Sequence, residues 1–186
     1  MASTIDIVKK QIDMLLEEKD FAVVAIDGKC TSGKTTLASK LAEIYDCNVF
    51  HMDDFFLRPE QRTPERFAEA GGNVDYERFL DEVLVPLQAR HPFSYRPFDC
   101  KTFTLSQEVA VPVKKLTIIE GSYSMHPYFG EPYDLKILLT VDTQTQQERI
   151  LGRPAHLRQR FLETWIPMEN QYLEAFQIAD KADLIL

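Results

Sequence analysis

The chain has 186 residues, a length that suits one domain with a sizeable core. Hydrophobic residues make up 45% and charged residues 27%, the balance of an ordinary soluble globular protein, and the formal net charge is −8. This excess of acid disfavours bulk attraction to nucleic acid or to an anionic membrane, so a bound anion needs a local site that overcomes the global field.

Two features of the chain bear on its location. Residues 1–20 have no long apolar core and no small-residue cleavage site, so no signal peptide is predicted, and no apolar run approaches the roughly 20 residues of a membrane span. The three cysteines are odd in number and widely spaced, which fits neither a disulfide framework nor a zinc site. We therefore expect a cytoplasmic protein in a reducing compartment.

Apolar side chains recur at helical spacing near the N-terminus, at Ile5, Val8, Ile12, Leu15 and Leu16. They predict an amphipathic helix within residues 1–19, with Ser3 or Thr4 as its cap. This helix is expected to pack either on the sheet or on a partner chain. A homodimer therefore stays open as an alternative.

Further along the chain, apolar runs predict strands, and the stretches between them predict helices. The expected strands are 21–26, 48–52, 115–120, 135–141 and 183–186, and the expected helices are 34–45, 75–90, 143–153 and 157–179. Residues 92–113 carry prolines, aromatics and partial alternation, which predict a β-hairpin lobe outside the main sheet. Because strands alternate with helices, we expect a mostly parallel α/β sheet with ligands at the carboxyl ends of its strands.

The first predicted strand leads into "DGKCTSGKTT", which fits the pattern G-x-x-x-x-G-K-[ST] through Gly28, Gly33, Lys34 and Thr35. Glycines let successive backbone N–H groups point into one concavity, and the N-terminus of the following helix adds partial positive charge. Lys34 is expected to reach the β- and γ-phosphates, and the Thr35 hydroxyl to bind Mg²⁺. The other expected nucleotide-binding residues of this stretch are Lys29, Thr31, Ser32 and Thr36. The alternative is a glycine-rich turn without a ligand.

Carboxylates follow two other predicted strands. Phosphoryl transfer to a hydroxyl needs a carboxylate that orients the hydroxyl and accepts its proton, and Asp53 or Asp54 in "HMDDFF" is the natural candidate. Glu120 in "LTIIEGSY" ends an apolar strand, the Walker-B pattern that helps to hold Mg²⁺ directly or through water. The alternatives are capping or turn aspartates at the pair and a solvated strand-end glutamate at Glu120.

An arginine-rich segment, "RILGRPAHLRQRF", has a Gly-Arg-Pro break that suggests mobility. Arginines on a closing lid neutralise the charge of a transferring phosphoryl group and exclude water, whereas the alternative is an ordinary surface helix face. The candidate residues are Arg149, Arg153, Arg158 and Arg160. Earlier in the chain, Asp75 of "GGNVDYERF" is interpreted from the residues alone as a helix cap.

Together these residues resemble the uridine kinase and nicotinamide riboside kinase group of P-loop kinases, which borders on phosphoribulokinase and bacterial pantothenate kinase. The matching stretches span about residues 20–186 in the family's order: "GKCTSGKTT", "HMDDFF", "NVDYERF", "YRPFDCKT", "IIEGSYS", the arginine segment and "WIPMENQYLEAF…ADLIL". The resemblance implies a single P-loop domain over residues 1–186, a three-layer sandwich around a central, mostly parallel five-stranded sheet. It also implies a small acceptor-side lobe at 92–113 and a lid at 149–160.

The resemblance further implies ATP as donor, with GTP as an alternative, Mg²⁺, and a ribose-type hydroxyl as acceptor. It assigns the general base to Asp53, raises Asp75 to a ligand of the acceptor's hydroxyls and places Glu120 near the metal. The acceptor pocket is then expected to include Tyr95, Arg96 and Phe98. His126 is interpreted as a loop histidine, with a contribution to the pocket as the alternative.

This chain departs from uridine kinases at two points. They usually have Asp-Ser-Phe-Tyr where this chain has Asp53-Asp54-Phe55-Phe56, whereas nicotinamide riboside kinases share the double aspartate. In the lobe, an ungapped alignment puts Phe98 and Phe103 where uridine kinases use a tyrosine and a histidine to bind the pyrimidine. The lost histidine removes a hydrogen-bond partner of the base, so the acceptor stays unidentified.

The expected function is therefore ATP-dependent phosphoryl transfer to a nucleoside-like or other small metabolite, with a nucleoside triphosphate and a small-molecule acceptor as its partners. A GTPase-like switch is one alternative, but the chain has no Asn-Lys-x-Asp guanine motif. A nucleotide-binding regulatory protein without activity is another, against which the set of Lys34, Thr35, Asp53 and Glu120 argues.

Overall fold

The computed structural model describes residues 3–186, so the first two residues of the expected N-terminal helix lie outside the described part. The strands are β1 (Ala22–Gly28), β2 (Cys47–His51), β3 (Phe93–Tyr95), β4 (Phe98–Asp99), β5 (Thr104–Leu105), β6 (Val109–Val111), β7 (Leu116–Glu120), β8 (Leu135–Leu139) and β9 (Leu184–Ile185). Five of them form one sheet in the order β2-β7-β1-β8-β9, and every neighbouring pair is parallel. The predicted parallel five-stranded sheet is confirmed.

The α-helices are α1 (Thr4–Glu18), α2 (Lys34–Ile44), α3 (Pro64–Ala68), α4 (Tyr76–Phe79), α5 (Val85–Ala89), α6 (Thr143–Leu151), α7 (Ala155–Arg160), α8 (Ile166–Ala175) and α9 (Ile178–Lys181). Short 3-10 turns lie at Met52–Phe55, Pro59–Gln61 and Pro127–Phe129, and π-turns at Leu80–Leu84 and Phe161–Trp165. No helix within residues 3–186 has the length and apolar character needed to cross a membrane.

Helices α1 and α2 cover one face of the sheet. Ser3 caps α1, and its side chain exchanges hydrogen bonds with Asp6 in a capping box. Val8 and Ile12 are fully buried in an apolar cluster with the inward residues of α2 and of the strands. The apolar stripe of the N-terminal helix therefore packs on the sheet of its own chain.

The opposite face of the sheet carries a second apolar cluster built largely from aromatic rings. Phe50, Phe55, Phe79 and Tyr172 are essentially inaccessible there. Phe55 meets Phe79 edge to face with 4.9 Å between ring centroids, and such pairs add to the stabilisation from buried area. This cluster fastens helices α4 and α8 beside the ends of β1, β2 and β7.

Residues 93–111 form two nested antiparallel pairs outside the main sheet, as the sequence predicts. β3 pairs with β6, and β4 pairs with β5 at the tip. Phe103, in the tip, has φ of +58°, a conformation that bulky residues rarely adopt. This β-lobe packs on the main body through Tyr95, whose ring lies 5.3 Å from that of Phe50.

The helix predicted over 157–179 is confirmed as far as Ala175, because α7, the π-turn at Phe161–Trp165 and α8 follow one another without a break. The helix then ends, and Gln177 takes a left-handed conformation with φ of +50° between α8 and α9. Sequence periodicity does not register an extra residue in one turn, because the apolar face continues on both sides of it. Likewise, the strand predicted over 48–52 ends at His51, and Asp53 and Asp54 lie on the following 3-10 turn.

Candidate active site

The phosphate loop connects β1 to α2, and two glycines give it its shape. Gly28 has φ of +142°, and a Cβ there would lie 2.2 Å from the carbonyl oxygen of Leu139 on the neighbouring strand. Gly33 has φ of +101° and leads into α2 without any side-chain cap for the first amides of the helix. Side chains at either position would distort the loop, and the uncapped helix start leaves N–H donors free.

Polar groups inside the loop lack partners that an anion would supply. The buried hydroxyl oxygens of Thr31 and Ser32 have no hydrogen-bond partner among residues 3–186. The Lys34 ammonium donates to the carbonyl oxygens of Gly28 and Lys29, both at 2.8 Å. Orphaned hydroxyls, a buried lysine and free helix amides make a cradle that fits a phosphate group.

A cleft of about 910 Å³ opens beside this loop. Its walls include Thr36 and Lys40 of α2, Thr140 beyond β8, and Arg149 and Arg153 of the arginine segment. The start of α1, including Ser3, borders the same cleft. Its size and position suit the remainder of a nucleotide whose phosphates lie in the loop.

The arginine segment contacts the phosphate loop through one residue. Arg149 donates to the carbonyl oxygen of Thr31 at 2.6 Å. Arg153 lines the cleft and also lies over the Phe161 ring, 6.0 Å from its centroid. Arg158 instead donates from Nε to the carbonyl oxygen of Arg153 and is not in the wall of the cleft. The structure therefore brings Arg149 and Arg153, but not Arg158, to the cleft.

Glu120, at the end of β7, meets groups from two other elements. Its Oε1 accepts from the Thr35 hydroxyl at 3.1 Å and lies 2.5 Å from Nδ1 of His51, its direct neighbour in the β2–β7 register. The hydrogen bond to Glu120 raises the pKa of His51. Within residues 3–186 no cluster of three or more His, Cys, Asp or Glu side chains suits a metal. The Thr35 hydroxyl and the Glu120 carboxylate are hard oxygen donors that fit Mg²⁺, which keeps phosphate and water as its other ligands.

The two aspartates after β2 have different surroundings. Asp54 accepts a hydrogen bond from the Tyr95 hydroxyl at 3.3 Å. Asp53 has no hydrogen-bond or ion-pair partner among residues 3–186, and its side chain is exposed to solvent. Surrounding protein atoms raise the pKa of Asp53 by desolvation, and the negative charge of Glu120 raises it further, while Lys34 opposes the shift. Asp53 is thus the free carboxylate of the pair.

Asp75 lies between two arginines. It caps α4 by accepting from the amide of Arg78 at 3.2 Å, as the cap interpretation predicts. Its Oδ2 also lies 3.6 Å from Nε of Arg58 and 3.4 Å from Nε of Arg78, yet has no hydrogen bond of good geometry. The carboxylate is almost fully buried, so Oδ2 is a buried acceptor without a hydrogen bond.

The lobe residues that the resemblance assigns to the acceptor pocket are in three different situations. Tyr95 is buried and donates to Asp54, and Phe98 is buried at the lobe tip. Arg96 is exposed, and its Nε donates to the carbonyl oxygen of Ser106 on the lobe itself. The structure thus brings Tyr95 next to the aspartate pair, while Arg96 braces the lobe.

His126 lies in a loop, as interpreted from the sequence, and it is a buried member of an aromatic stack. Its ring lies parallel to Tyr76 at 4.4 Å and to Tyr172 at 6.1 Å. Nδ1 accepts from the amide of Tyr128, and burial lowers the pKa of His126 to about 4. Its ring therefore joins α4 to α8 as a neutral group.

Sequence reasoning missed two buried carboxylates that fix the phosphate loop. Glu169 on α8 accepts from the amide of Cys30 and from the Ser122 hydroxyl, both at 2.8 Å. Asp27 accepts from the amides of Gly28 and Met125 and from the Tyr172 hydroxyl, and burial raises the pKa of its carboxyl group. Asp27 gave a signal in the sequence, because it is an acid inside an apolar strand run. Glu169 gave none, because it lies 139 residues from its loop partner Cys30.

Comparison with known proteins places this geometry in a fold. No protein-family model matches the chain, and no curated protein matches it. A Bacillus stearothermophilus protein described as a possible uridine kinase is 24% identical, with a TM-score of 0.70 over 96% of this chain and 98% of that one. A Silicibacter sp. TM1040 protein named provisionally as a fructose transport system kinase is 22% identical, with a TM-score of 0.72 over the whole of both chains.

The YGR205w protein is more distant at 18% identity, with a TM-score of 0.61 over 93% of this chain and 86% of that chain. This chain has a P-loop NTPase-like α/β fold. In this fold, the phosphate loop, Glu120 and Asp53 all follow strands at the carboxyl end of the parallel sheet, where such sheets bind ligands.

Proposed function

We propose that the chain is an ATP-dependent small-molecule kinase that transfers the γ-phosphoryl group of ATP to a hydroxyl of a small metabolite, with GTP as an alternative donor. The observation that carries this proposal is the free Asp53 carboxylate, which lies at the same sheet edge as the phosphate loop. A nucleotide-binding protein without transfer has no need of an unpaired carboxylate with a raised pKa in that position.

On the donor side, the loop amides and the start of α2 hold the triphosphate. Lys34 exchanges its two carbonyl partners for phosphate oxygens, and Arg149 and Arg153 close over the phosphates as part of a lid at 149–160. Arg158 joins them only when α7 moves, because its side chain is bound to the carbonyl oxygen of Arg153. These cationic groups stabilise charge on the phosphoryl group in flight.

On the acceptor side, Asp53 orients the attacking hydroxyl and accepts its proton. A raised pKa makes the Asp53 carboxylate a stronger base than an ordinary aspartate, which favours proton acceptance in the transition state. Asp75 offers its unsatisfied Oδ2 to a second hydroxyl of the acceptor. Residues 92–113 then form the acceptor-side wall, with Tyr95 and Phe98 behind the aspartate pair.

Thr35 and Glu120 would hold Mg²⁺, which when bound would supply positive charge that offsets the charge of the triphosphate. His51 fixes the Glu120 carboxylate through the 2.5 Å contact and so orients its second oxygen. This arrangement is the usual support of a metal-binding carboxylate by a neighbouring hydrogen-bonded group.

The proposal is tested by ADP release with a panel of acceptors that includes nucleosides, nicotinamide riboside, pantothenate and sugar alcohols. Asp53→Asn removes the base but keeps the shape, so kcat should fall about 10²–10⁴-fold while the Kd for ATP stays within about twofold. Asp54→Asn is the matched comparison, since Asp54 is already engaged with Tyr95, and its effect on kcat should be at least tenfold smaller.

Near-normal turnover of Asp53→Asn would show that Asp53 is not the general base. Tight binding of ATP without transfer to any acceptor would instead favour a regulatory nucleotide-binding protein.

A further inference from the structure

Arg62, in the segment between the aspartate pair and α3, is held in a fixed position beside the lobe tip. Its Nε donates to the carbonyl oxygen of Leu57 at 2.9 Å. Its guanidinium lies over the rings of Phe103 and Phe98, 4.9 Å and 5.8 Å from their centroids. Stacking on an aromatic face leaves the outer N–H groups of an arginine free to bind a planar or tetrahedral anion.

The Arg62 charge has no counter-charge in the protein. No carboxylate among residues 3–186 forms an ion pair with Arg62, although the chain has eight more acidic than basic residues. The neighbouring Arg58 and Arg78 are different, since both lie against Asp75. Arg62 is also partly shielded from solvent, which makes an unpaired charge costly there.

The aromatic support of Arg62 is itself built at a conformational cost. Phe103 holds its ring edge-on to Phe98, at 6.2 Å between centroids, only because its φ is +58°. The turn is fixed by the amide of Phe103, which donates to the carbonyl oxygen of Asp99 at 2.8 Å. A strained bulky residue that positions another side chain is typical of a binding site.

Arg62 lies close to the proposed base, because it stacks on Phe98 of β4 and β4 packs against the 3-10 turn at Met52–Phe55 that carries Asp53. Burial raises the pKa of the Cys100 thiol at the lobe tip, the negative charge of Asp53 raises it further, and the positive charge of Arg62 lowers it, as expected when both charges lie near this tip. Arg160 of α7 adds a second positive charge near Arg62, and burial together with Arg160 lowers the pKa of Arg62.

We propose that the phosphoryl acceptor carries an anionic group, a carboxylate or a phosphate, which Arg62 binds on its aromatic support while Asp53 faces the hydroxyl. This inference rests on the proposed kinase function and specifies its substrate class. A neutral nucleoside would leave Arg62 unpaired in the bound state, whereas an anion removes the cost of that burial and gains charge-assisted hydrogen bonds.

The first experiment measures anion binding without turnover. The full chain is saturated with Mg²⁺ and a non-hydrolysable ATP analogue, so that the phosphate loop is occupied, and is titrated with inorganic phosphate or with acetate while the backbone amide signals of Leu57 and Phe103, which are present in every variant, are followed by NMR. Saturable binding of either anion is expected, and the stronger of the two identifies phosphate or carboxylate as the preferred group. In Arg62→Gln the binding should weaken at least tenfold.

Arg90→Gln is the matched control. Arg90 also lies over a phenylalanine, Phe21, at 5.1 Å from the ring centroid, but it follows the C-terminus of α5 and does not contact the lobe tip that holds Arg62. It should bind both anions like the wild type. Anion binding that is equally strong in wild type and Arg62→Gln, or absent from the wild type, would overturn the proposal.

The second experiment compares matched acceptors that differ only in the anionic group, such as pantothenol with pantothenate, ribose with ribose 5-phosphate, and glycerol with glycerate. The anionic members should be preferred at least 100-fold in kcat/KM, and Arg62→Gln should abolish that preference mainly through KM. Transfer to neutral members with no effect of Arg62→Gln would overturn the anionic acceptor but keep the kinase. Arg62-dependent anion binding with no transfer to any acceptor would instead overturn the kinase function.

Discussion

The phosphate loop and the proposed acceptor side, which carries Asp53 and Arg62, differ in how their charged side chains are paired. Around the loop, the charged side chains have protein partners: Lys34 binds two carbonyl groups, Glu120 binds Thr35 and His51, and Glu169 binds Cys30 and Ser122. On the proposed acceptor side, Asp53 and Arg62 form no ion pair with any described residue. The charged side chains around the loop are therefore paired within the protein, although the Thr31 and Ser32 hydroxyls are not, whereas Asp53 and Arg62 have no protein partner for their charge.

This difference has a physical reason. A phosphate loop offers backbone amides, whose positions are set by the strand, the glycines and the helix, so its side chains can rest on one another until the donor arrives. An acceptor site must discriminate among small molecules, and it does so with side chains that lose their water only when the correct partner replaces it. Substitutions on the donor side should therefore affect all acceptors equally, whereas those on the acceptor side should affect particular acceptors.

The largest effect is expected at Lys34. Lys34→Met removes the cation that moves from the Gly28 and Lys29 carbonyl groups to the phosphates, so kcat/KM should fall about 10²–10³-fold for every acceptor alike. Steady-state kinetics with two different acceptors measure this, and Lys10→Met on the exposed side of α1 is the control that should retain full activity. A fall in kcat/KM for only one acceptor would contradict the prediction that donor-side substitutions affect all acceptors equally.

A smaller effect, on the pH dependence of stability, is expected at His126, which stacks between Tyr76 of α4 and Tyr172 of α8. Because burial lowers the pKa of His126 from 6.5 to about 4, the unfolded chain binds a proton that the folded protein excludes. The His126 contribution is complete above pH 6.5 and is lost as the pH falls toward 4, by up to about 3 kcal/mol.

His126→Gln should therefore flatten the fall in unfolding free energy between pH 6.5 and 4, as measured by urea denaturation at a series of pH values. His156→Gln, at an exposed position on α7, should keep the wild-type slope. Identical slopes in all three proteins would show that His126 is not the neutral buried group that the stack requires.

The smallest effect is expected at Glu169. Glutamine is an uncharged acceptor, so Glu169→Gln weakens the hydrogen bond from the Cys30 amide, while the Ser122 hydroxyl keeps the Gly28 carbonyl oxygen as an acceptor. The unfolding free energy should fall by about 1 kcal/mol. Glu174→Gln, on the exposed side of α8, should change it by less than about 0.5 kcal/mol. Equal stabilities of the two variants would mean that the carboxylate does not brace the loop.

The amino-acid sequence by itself determined the parallel sheet, the phosphate loop and the edge at which Asp53 and Glu120 stand. These features follow from short stretches: apolar runs that must be buried, glycines with a fixed spacing, and carboxylates directly after strands. Only the tertiary structure decided which aspartate is free, that Glu169 and Asp27 hold the loop, that His126 is buried, and that Arg62 stands unpaired on Phe98 and Phe103. Each of those outcomes depends on contacts between residues far apart in the chain. Local sequence patterns do not show which distant side chain packs against a given position.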